Sequence, residues 1–93
     1  MPTYQASNLF LREYAKLSDE DKRRFRAALL KFVEDLRHGG FRNSLRVKAY
    51  RGQEGVYEMT WAPNGRALFR YGTEVFEGKS HVIWLRIGGH EIF

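Results

Sequence analysis

Hydrophobic and polar residues alternate along the last third of the chain, and this pattern predicts β-strands over residues 55–61, 66–71 and 81–93. Successive side chains of a strand point to opposite faces of a sheet, so every second residue shares an environment. The apolar parity is expected to form core and includes Tyr57, Met59, Trp61, Phe69, Ile83, Leu85 and Ile87. The opposite parity carries Glu58, Thr60, Arg66, Arg70, Trp84, Arg86 and His90. If the strands are neighbours, the sheet has one apolar face and one face that carries charge.

The first forty residues show helical spacing instead. After a possible short edge strand at residues 3–6, Ser7 or Asn8 can cap a helix that runs to about residue 16. A second helix is expected over about residues 19–38, because its apolar residues recur every three to four positions. Ser18 is expected to cap its start, and Gly39-Gly40 is expected to end it. The order of elements is therefore an optional strand, two helices and three strands.

This order predicts an α+β fold in which two N-terminal helices pack on one face of a three- to four-stranded antiparallel sheet. The Asn64-Gly65 pair is a strong hairpin signal between two of the strands. The chain has 93 residues, which is the size of one small domain, so we expect a single domain over residues 1–93.

Composition narrows the classes of function. Hydrophobic residues make up 43% of the chain, enough to favour a folded core over disorder. The absence of cysteine excludes disulfides, cysteine-based zinc sites and a cysteine nucleophile. No apolar run approaches the length of a membrane span, and we expect a cytoplasmic protein without membrane association.

The charge is basic and locally concentrated. The chain carries 16 Lys and Arg against 11 Asp and Glu, and residues 37–53 contain no acid. Such a patch attracts polyanions, of which nucleic acid is the commonest in a cell. The alternative is a solvated surface that only keeps the protein soluble. If the partner is a nucleic acid, the residues expected to contact its backbone are Arg46, Lys48 and Arg51.

Three sequence motifs follow the two predicted helices in order: GVYEM at 55–59, GRALFRY at 65–71 and IGGHEIF at 87–93. With the helical hairpin before them, they resemble the RelE/ParE superfamily of bacterial type II toxins. The resemblance implies a cognate antitoxin that masks the basic face. RelE-like members are metal-independent endoribonucleases (mRNA interferases), many of which act on mRNA in the 30S A site of the ribosome. ParE-like members instead inhibit DNA gyrase.

The resemblance also implies roles for individual residues. In RelE-like toxins an arginine at the place of Arg66 serves the scissile phosphate, and the last strand often supplies an arginine or histidine where His90 stands. The tyrosine that often follows is missing, and so is the lysine pair that some members carry where Glu58 and Thr60 stand. Since other branches use a carboxylate base, Glu58 is a possible substitute.

The chemistry of RNA cleavage by the 2′-hydroxyl needs a base, fixed positive charge for the phosphorane and an acid for the departing 5′ oxygen. The catalytic candidates are Arg66, His90, Glu58 and Arg86. Each has a structural alternative: Arg66 could extend into solvent, Arg86 could pair with Glu58 across strands, and His90 could be structural. Glu58 could equally orient Arg66 or Arg86 instead of acting as a base.

Further RNA contacts are expected from Arg70, and base stacking from Trp84 and Phe93. No metal site is expected, because His38, His81 and His90 show no metal-binding spacing, and no cofactor is implied. An mRNA-cleaving toxin is the leading hypothesis. The alternatives are a ParE-like non-enzymatic inhibitor of gyrase and a basic interaction module without toxicity.

Overall fold

The computed structural model describes residues 2–89, so the predicted roles of His90 and Phe93 fall outside the described residues. Within that range the chain forms two α-helices, one short 3₁₀ helix at Asn43–Leu45 and five β-strands. In chain order the helices and strands are β1 (Thr3–Ala6), α1 (Asn8–Ala15), α2 (Asp19–His38), β2 (Lys48–Ala49), β3 (Tyr57–Ala62), β4 (Gly65–Tyr71) and β5 (His81–Gly89).

The strands of residues 2–89 form one sheet in the order β1-β5-β4-β3-β2. β1 runs parallel to β5, and the other neighbours are antiparallel. The predicted α+β class with two helices on a sheet is confirmed. The sheet has five strands rather than three or four, because β1 adds a parallel edge and β2 adds a two-residue edge on the other side.

Both helices begin where their capping residues predict. The Ser7 hydroxyl accepts a hydrogen bond from the Phe10 backbone N–H at 3.0 Å, and the Ser18 hydroxyl accepts one from Asp21 N–H at 3.1 Å. These bonds satisfy N–H groups that have no partner inside a helix. α2 ends at Gly39, whose φ of 87° is left-handed and suits glycine. Neither helix is long and apolar enough to cross a membrane in the part of the chain that is described.

Aromatic rings join the helices to one face of the sheet. Phe32 of α2 lies with its ring centroid 5.0 Å from Phe69 and 5.2 Å from Trp84. Phe25 lies 5.7 Å from Trp84 and 6.2 Å from Trp61, both in edge-on geometry. Edge-on and tilted rings at these distances are favourable beyond the burial of their surface. The predicted core position of Trp61 is confirmed.

A β-bulge in β5 changes the predicted faces of that strand. Arg86 pairs with Leu68, but Trp84 pairs with Phe69, so Leu85 is an extra residue in β5. One extra residue reverses the alternation, and Trp84 lies on the opposite face from Arg86. The predicted face of Trp84 is therefore wrong. This side chain is 3% exposed among core rings and has no surface on which an RNA base could stack.

The bulge moves Ile83 in the other direction. The alternation predicts Ile83 as a core residue under the helices, but Ile83 pairs with Arg70 and lies on the face turned away from the helices. We call this side of the sheet the open face. Ile83 and Leu68 are both buried there, outside the main aromatic core. The open face therefore has an apolar floor as well as charges.

Candidate functional site on the open face

The strand register collects charged side chains into a row across the open face. Lys48 pairs with Glu58, Glu58 with Leu68, and Leu68 with Arg86. Residues that face each other across neighbouring strands project to the same side of a sheet. The row therefore consists of two cations, one carboxylate and one buried leucine. The adjacent row contains Thr60, Arg66 and Gly88.

Arg66 is held against the hairpin that precedes it. Its Nη1 lies 2.9 Å from the Gly65 carbonyl oxygen, 3.3 Å from that of Ala62 and 3.4 Å from that of Pro63. The side chain is only 12% exposed. A guanidinium that donates to backbone carbonyls keeps a fixed direction. The alternative in which Arg66 extends into solvent is therefore wrong.

Glu58 lies between two cations. One carboxylate oxygen is 3.8 Å from Lys48 Nζ, and the other is 4.0 Å from Arg66 Nε. These distances are ion pairs rather than hydrogen bonds. The Glu58 side chain is 15% exposed, so its charge is more strongly felt by Arg66 than a solvated carboxylate would be. Its structural partners are Arg66 and Lys48.

Arg86 is bonded to Glu13 of α1 and not to Glu58. Its Nη2 donates to Glu13 Oε2 at 2.6 Å and its Nε to Glu13 Oε1 at 3.3 Å. The structural alternative in which Arg86 pairs with Glu58 across strands is thus wrong. Hydrogen bonding to Glu13 raises the pKa of Arg86 and outweighs the opposing effect of burial. Arg86 is a permanent, fixed positive charge.

Tyr50 is a residue of the site that no sequence pattern indicated. After the hydrogen bond and the charge of Glu13, the charge of Tyr50 is a further cause that raises the pKa of Arg86. The Tyr50 ring lies against Gly52, where an added Cβ would come within 2.5 Å of a ring carbon. A glycine at 52 is therefore needed for this placement of the ring. No periodic pattern pointed to Tyr50, because it lies in a connection between strands.

The cations expected to contact RNA differ from Arg42 in their exposure. Arg46, Lys48, Arg51 and Arg70 are exposed, as an RNA-binding surface requires, and Lys48 remains exposed while it is ion-paired to Glu58. Arg42 is instead bound to Asp35, with Nε 2.8 Å from Oδ2 and Nη2 2.7 Å from Oδ1. These hydrogen bonds lower the pKa of Asp35 from 3.8 to about 2. The pair therefore joins the segment that follows α2 to the C-terminal end of that helix.

His81 has a structural environment. It is buried, its Nδ1 lies 2.7 Å from the Thr3 hydroxyl, and its Nε2 lies 3.1 Å from Gln5 Oε1. These contacts join β1 to β5 and use both ring nitrogens. Among residues 2–89, no three His, Asp or Glu side chains form a group that could hold a metal ion.

Solved structures share this fold. YafQ from E. coli matches with a TM-score of 0.70 and 10% identity over 99% of this chain and 97% of that chain. A chain of the E. coli DinJ–YafQ toxin–antitoxin complex matches with a TM-score of 0.71 and 11% identity, covering 99% and 96%. A chain of the intact E. coli RelBE toxin–antitoxin complex matches with a TM-score of 0.63 and 17% identity, covering 96% of each.

These likenesses extend over nearly the whole chain, so the described architecture is the RelE/YafQ-type toxin fold. The fold predicted from the three motifs is confirmed. No model of a protein family matches the chain, and no curated protein does either. Since identities are at most 17% in these three comparisons, the likeness carries the fold, and the chemistry depends on this chain's own residues.

Proposed function

We propose that this chain is the toxin of a type II toxin–antitoxin system and an endoribonuclease that cleaves mRNA on the ribosome. In this proposal residues 1–93 form one toxin domain that acts in the cytoplasm. The 2′-hydroxyl of the substrate attacks the neighbouring phosphate, and arginines rather than a metal ion supply the positive charge.

The observation that carries this proposal is a pair of anchored guanidinium groups on one face. Arg66 is held by hairpin carbonyls and Arg86 by Glu13, and both are in adjacent rows of the open face. A phosphorane gains charge during the reaction. Donors that are already fixed toward that charge stabilise it without reorganising. A surface selected only for solubility has no need to fix its arginines.

Each candidate residue has one role in the proposed reaction. Arg66 grips the scissile phosphate through paired hydrogen bonds, and Arg86 holds the same or the adjacent phosphate. Glu58 orients Arg66 through their ion pair. His90 transfers the proton, since an imidazole with an ordinary pKa of about 6.5 can both accept and donate near neutrality.

RNA reaches the open face through exposed cations on its border. Arg46, Lys48, Arg51 and Arg70 contact phosphates, which supplies affinity without sequence information. Phe93 stacks on a base. The target is mRNA in the 30S A site of the ribosome, whose RNA offers further phosphates to the same cations.

The partner we propose is a cognate antitoxin that covers the basic open face. The support is the fold, which this chain shares with chains of DinJ–YafQ and RelBE toxin–antitoxin complexes. An acidic segment suits the net charge of +5. Covering the row of Lys48, Glu58 and Arg86 would exclude RNA from the site.

The test is cleavage of ribosome-bound mRNA by the purified chain, read by primer extension. The parent is expected to give discrete cuts. Arg66→Ala is expected to lower the rate on the order of 10²- to 10³-fold, as for other preorganised charge donors. Arg24→Ala is the matched control, because Arg24 is also ion-paired, to Glu20, but lies on the exposed side of α2.

Three outcomes would contradict the proposal or its site. If Arg66→Ala cuts as fast as the parent, the site is wrong. If the messages stay intact while induction of the chain damages DNA, the chain is a gyrase inhibitor. If strong induction without antitoxin leaves growth normal, the chain is a basic interaction module.

A further inference from the structure

Glu13 makes three hydrogen bonds to one short stretch of β5. Its Oε2 accepts from Arg86 Nη2, and its Oε1 accepts from both Arg86 Nε and the backbone N–H of Ile87. The Glu13 side chain is 15% exposed. A carboxylate with this many donors in a shielded place holds its partners in a fixed geometry.

The position of α1 explains why this carboxylate reaches β5. β1 pairs with β5 only as far as Trp84, and the outer edge of β5 continues beyond it. Ser7 forms the next hydrogen bonds to this edge. Its N–H donates to the Trp84 carbonyl at 2.9 Å, and its hydroxyl donates to the Leu85 carbonyl at 2.9 Å. Glu13 lies about two turns further along α1 and covers the next part of the edge.

The bulge and the helix act on the same residue. Leu85 is the extra residue that places Arg86 on the open face, and its carbonyl is bound by Ser7. Glu13 binds the backbone directly after Arg86 and the Arg86 head group together. One carboxylate therefore fixes both the strand position and the direction of the guanidinium.

We propose that Glu13 is a positioning residue that aims Arg86 at the phosphate during cleavage. The inference rests on the proposed nuclease function and adds α1 to its machinery. Arg86 has five N–H donors, and Glu13 uses two of them, at Nε and Nη2. A guanidinium that is held through Nε and Nη2 by one carboxylate keeps a single orientation.

A purely structural role for Glu13 predicts something different. In that case its loss would lower stability and would lower activity only through the unfolded fraction. A positioning role predicts a loss of kcat with little change in KM, and the loss should disappear once Arg86 is absent. Misplacement of a catalytic group by about 1 Å can cost on the order of 10²-fold in rate.

The experiment is a double-mutant cycle on ribosome-bound mRNA with Glu13→Gln, Arg86→Ala and the combined variant. The amide of Gln retains one acceptor oxygen and replaces the other with an N–H₂ donor, so it cannot accept the two-oxygen fork that Glu13 offers to Arg86. We expect Glu13→Gln to lower kcat by about 10-fold or more with KM within about 2-fold, and to have no further effect in Arg86→Ala. Asp35→Asn is the matched control, since it also breaks a shielded Arg–carboxylate fork and should leave kcat unchanged.

A second readout is independent of activity. The Arg86 Nε–H should be a slowly exchanging NMR signal in the parent and should exchange fast in Glu13→Gln. If that signal is unchanged, or if Glu13→Gln lowers kcat equally with and without Arg86, the inference is wrong. If Arg86→Ala cleaves like the parent, the inference fails while the nuclease proposal survives on Arg66. If the parent does not cleave, the proposed function itself fails.

Discussion

The two faces of the sheet hold neighbouring side chains in place by different interactions. On the helix-covered face, Phe69 and Trp84 pack against Phe32 in a close aromatic cluster. On the open face, Arg66 and Arg86 are held instead by hydrogen bonds to carbonyls and a carboxylate. A fixed side chain can therefore belong to the core or to a site. What differs is whether the fixed group still offers charge to a ligand.

The largest expected effect is a loss of stability when a core ring on the helix-covered face is removed. Phe32 is 1% exposed, and Phe32→Ala should lower the free energy of unfolding by about 3–5 kcal/mol, because it leaves a cavity between three rings. Denaturant unfolding followed by circular dichroism measures it. Leu30→Ala on the same helix is the control, since Leu30 is 74% exposed and should change stability by less than about 0.5 kcal/mol. Equal effects at both positions would contradict the described core.

Trp84 tests which face the bulge assigns to it. Trp84→Phe should lower stability by about 1–3 kcal/mol and leave RNA affinity unchanged, because the indole packs against Phe25 and Phe32. Unfolding and fluorescence-detected RNA binding measure the two quantities. A clear loss of RNA affinity with unchanged stability would instead place Trp84 beside the substrate.

Acid should weaken the connection after α2. The pKa of Asp35 is lowered from 3.8 to about 2 by hydrogen bonds from Arg42, so the folded state holds this carboxylate in its ionised form. A depressed folded-state pKa contributes stability that is present above about pH 4 and is lost as the pH falls toward 2. Unfolding measured between pH 5 and 2 should show this loss. Asp35→Asn should be less stable at pH 5 and should decline less over the same interval.

The smallest expected effect is on the border of the open face. Lys48 is exposed, and Lys48→Ala should weaken RNA binding similarly for all sequences and reduce the slope of log affinity against log salt by about 1. Binding measured at several salt concentrations gives this slope. Lys31→Ala, an exposed lysine on α2, should leave the slope unchanged. If both variants change the slope equally, binding reflects net charge rather than the open face.

Local signals in the sequence predicted much of the fold. Ser7 and Ser18 cap the two helices, Gly39 ends the second, and the hairpin turns at Pro63-Asn64 with Gly65 as the first residue of β4. Each of these features is decided by a few neighbouring residues, and such chemistry can be read without knowing the rest of the fold. The same hairpin placed Arg66 on the charged face as predicted.

The predictions that failed depend on contacts between distant parts of the chain. A bulge at Leu85 is invisible to a pattern of period two, and it reversed the faces of Ile83 and Trp84. The partner of Arg86 is 73 positions away in α1, and no local spacing connects them. β2 has only two residues, too few to show any alternation.

The central claim is that two fixed arginines on the open face form a cleavage site. Cleavage of ribosome-bound mRNA by an Arg66→Ala, Arg86→Ala double variant tests it most directly, with folding confirmed by unchanged circular dichroism. We predict a folded protein with no detectable cuts where the parent cuts. A folded double variant that cuts at the parent's positions and rate would show that the reaction occurs elsewhere on the molecule.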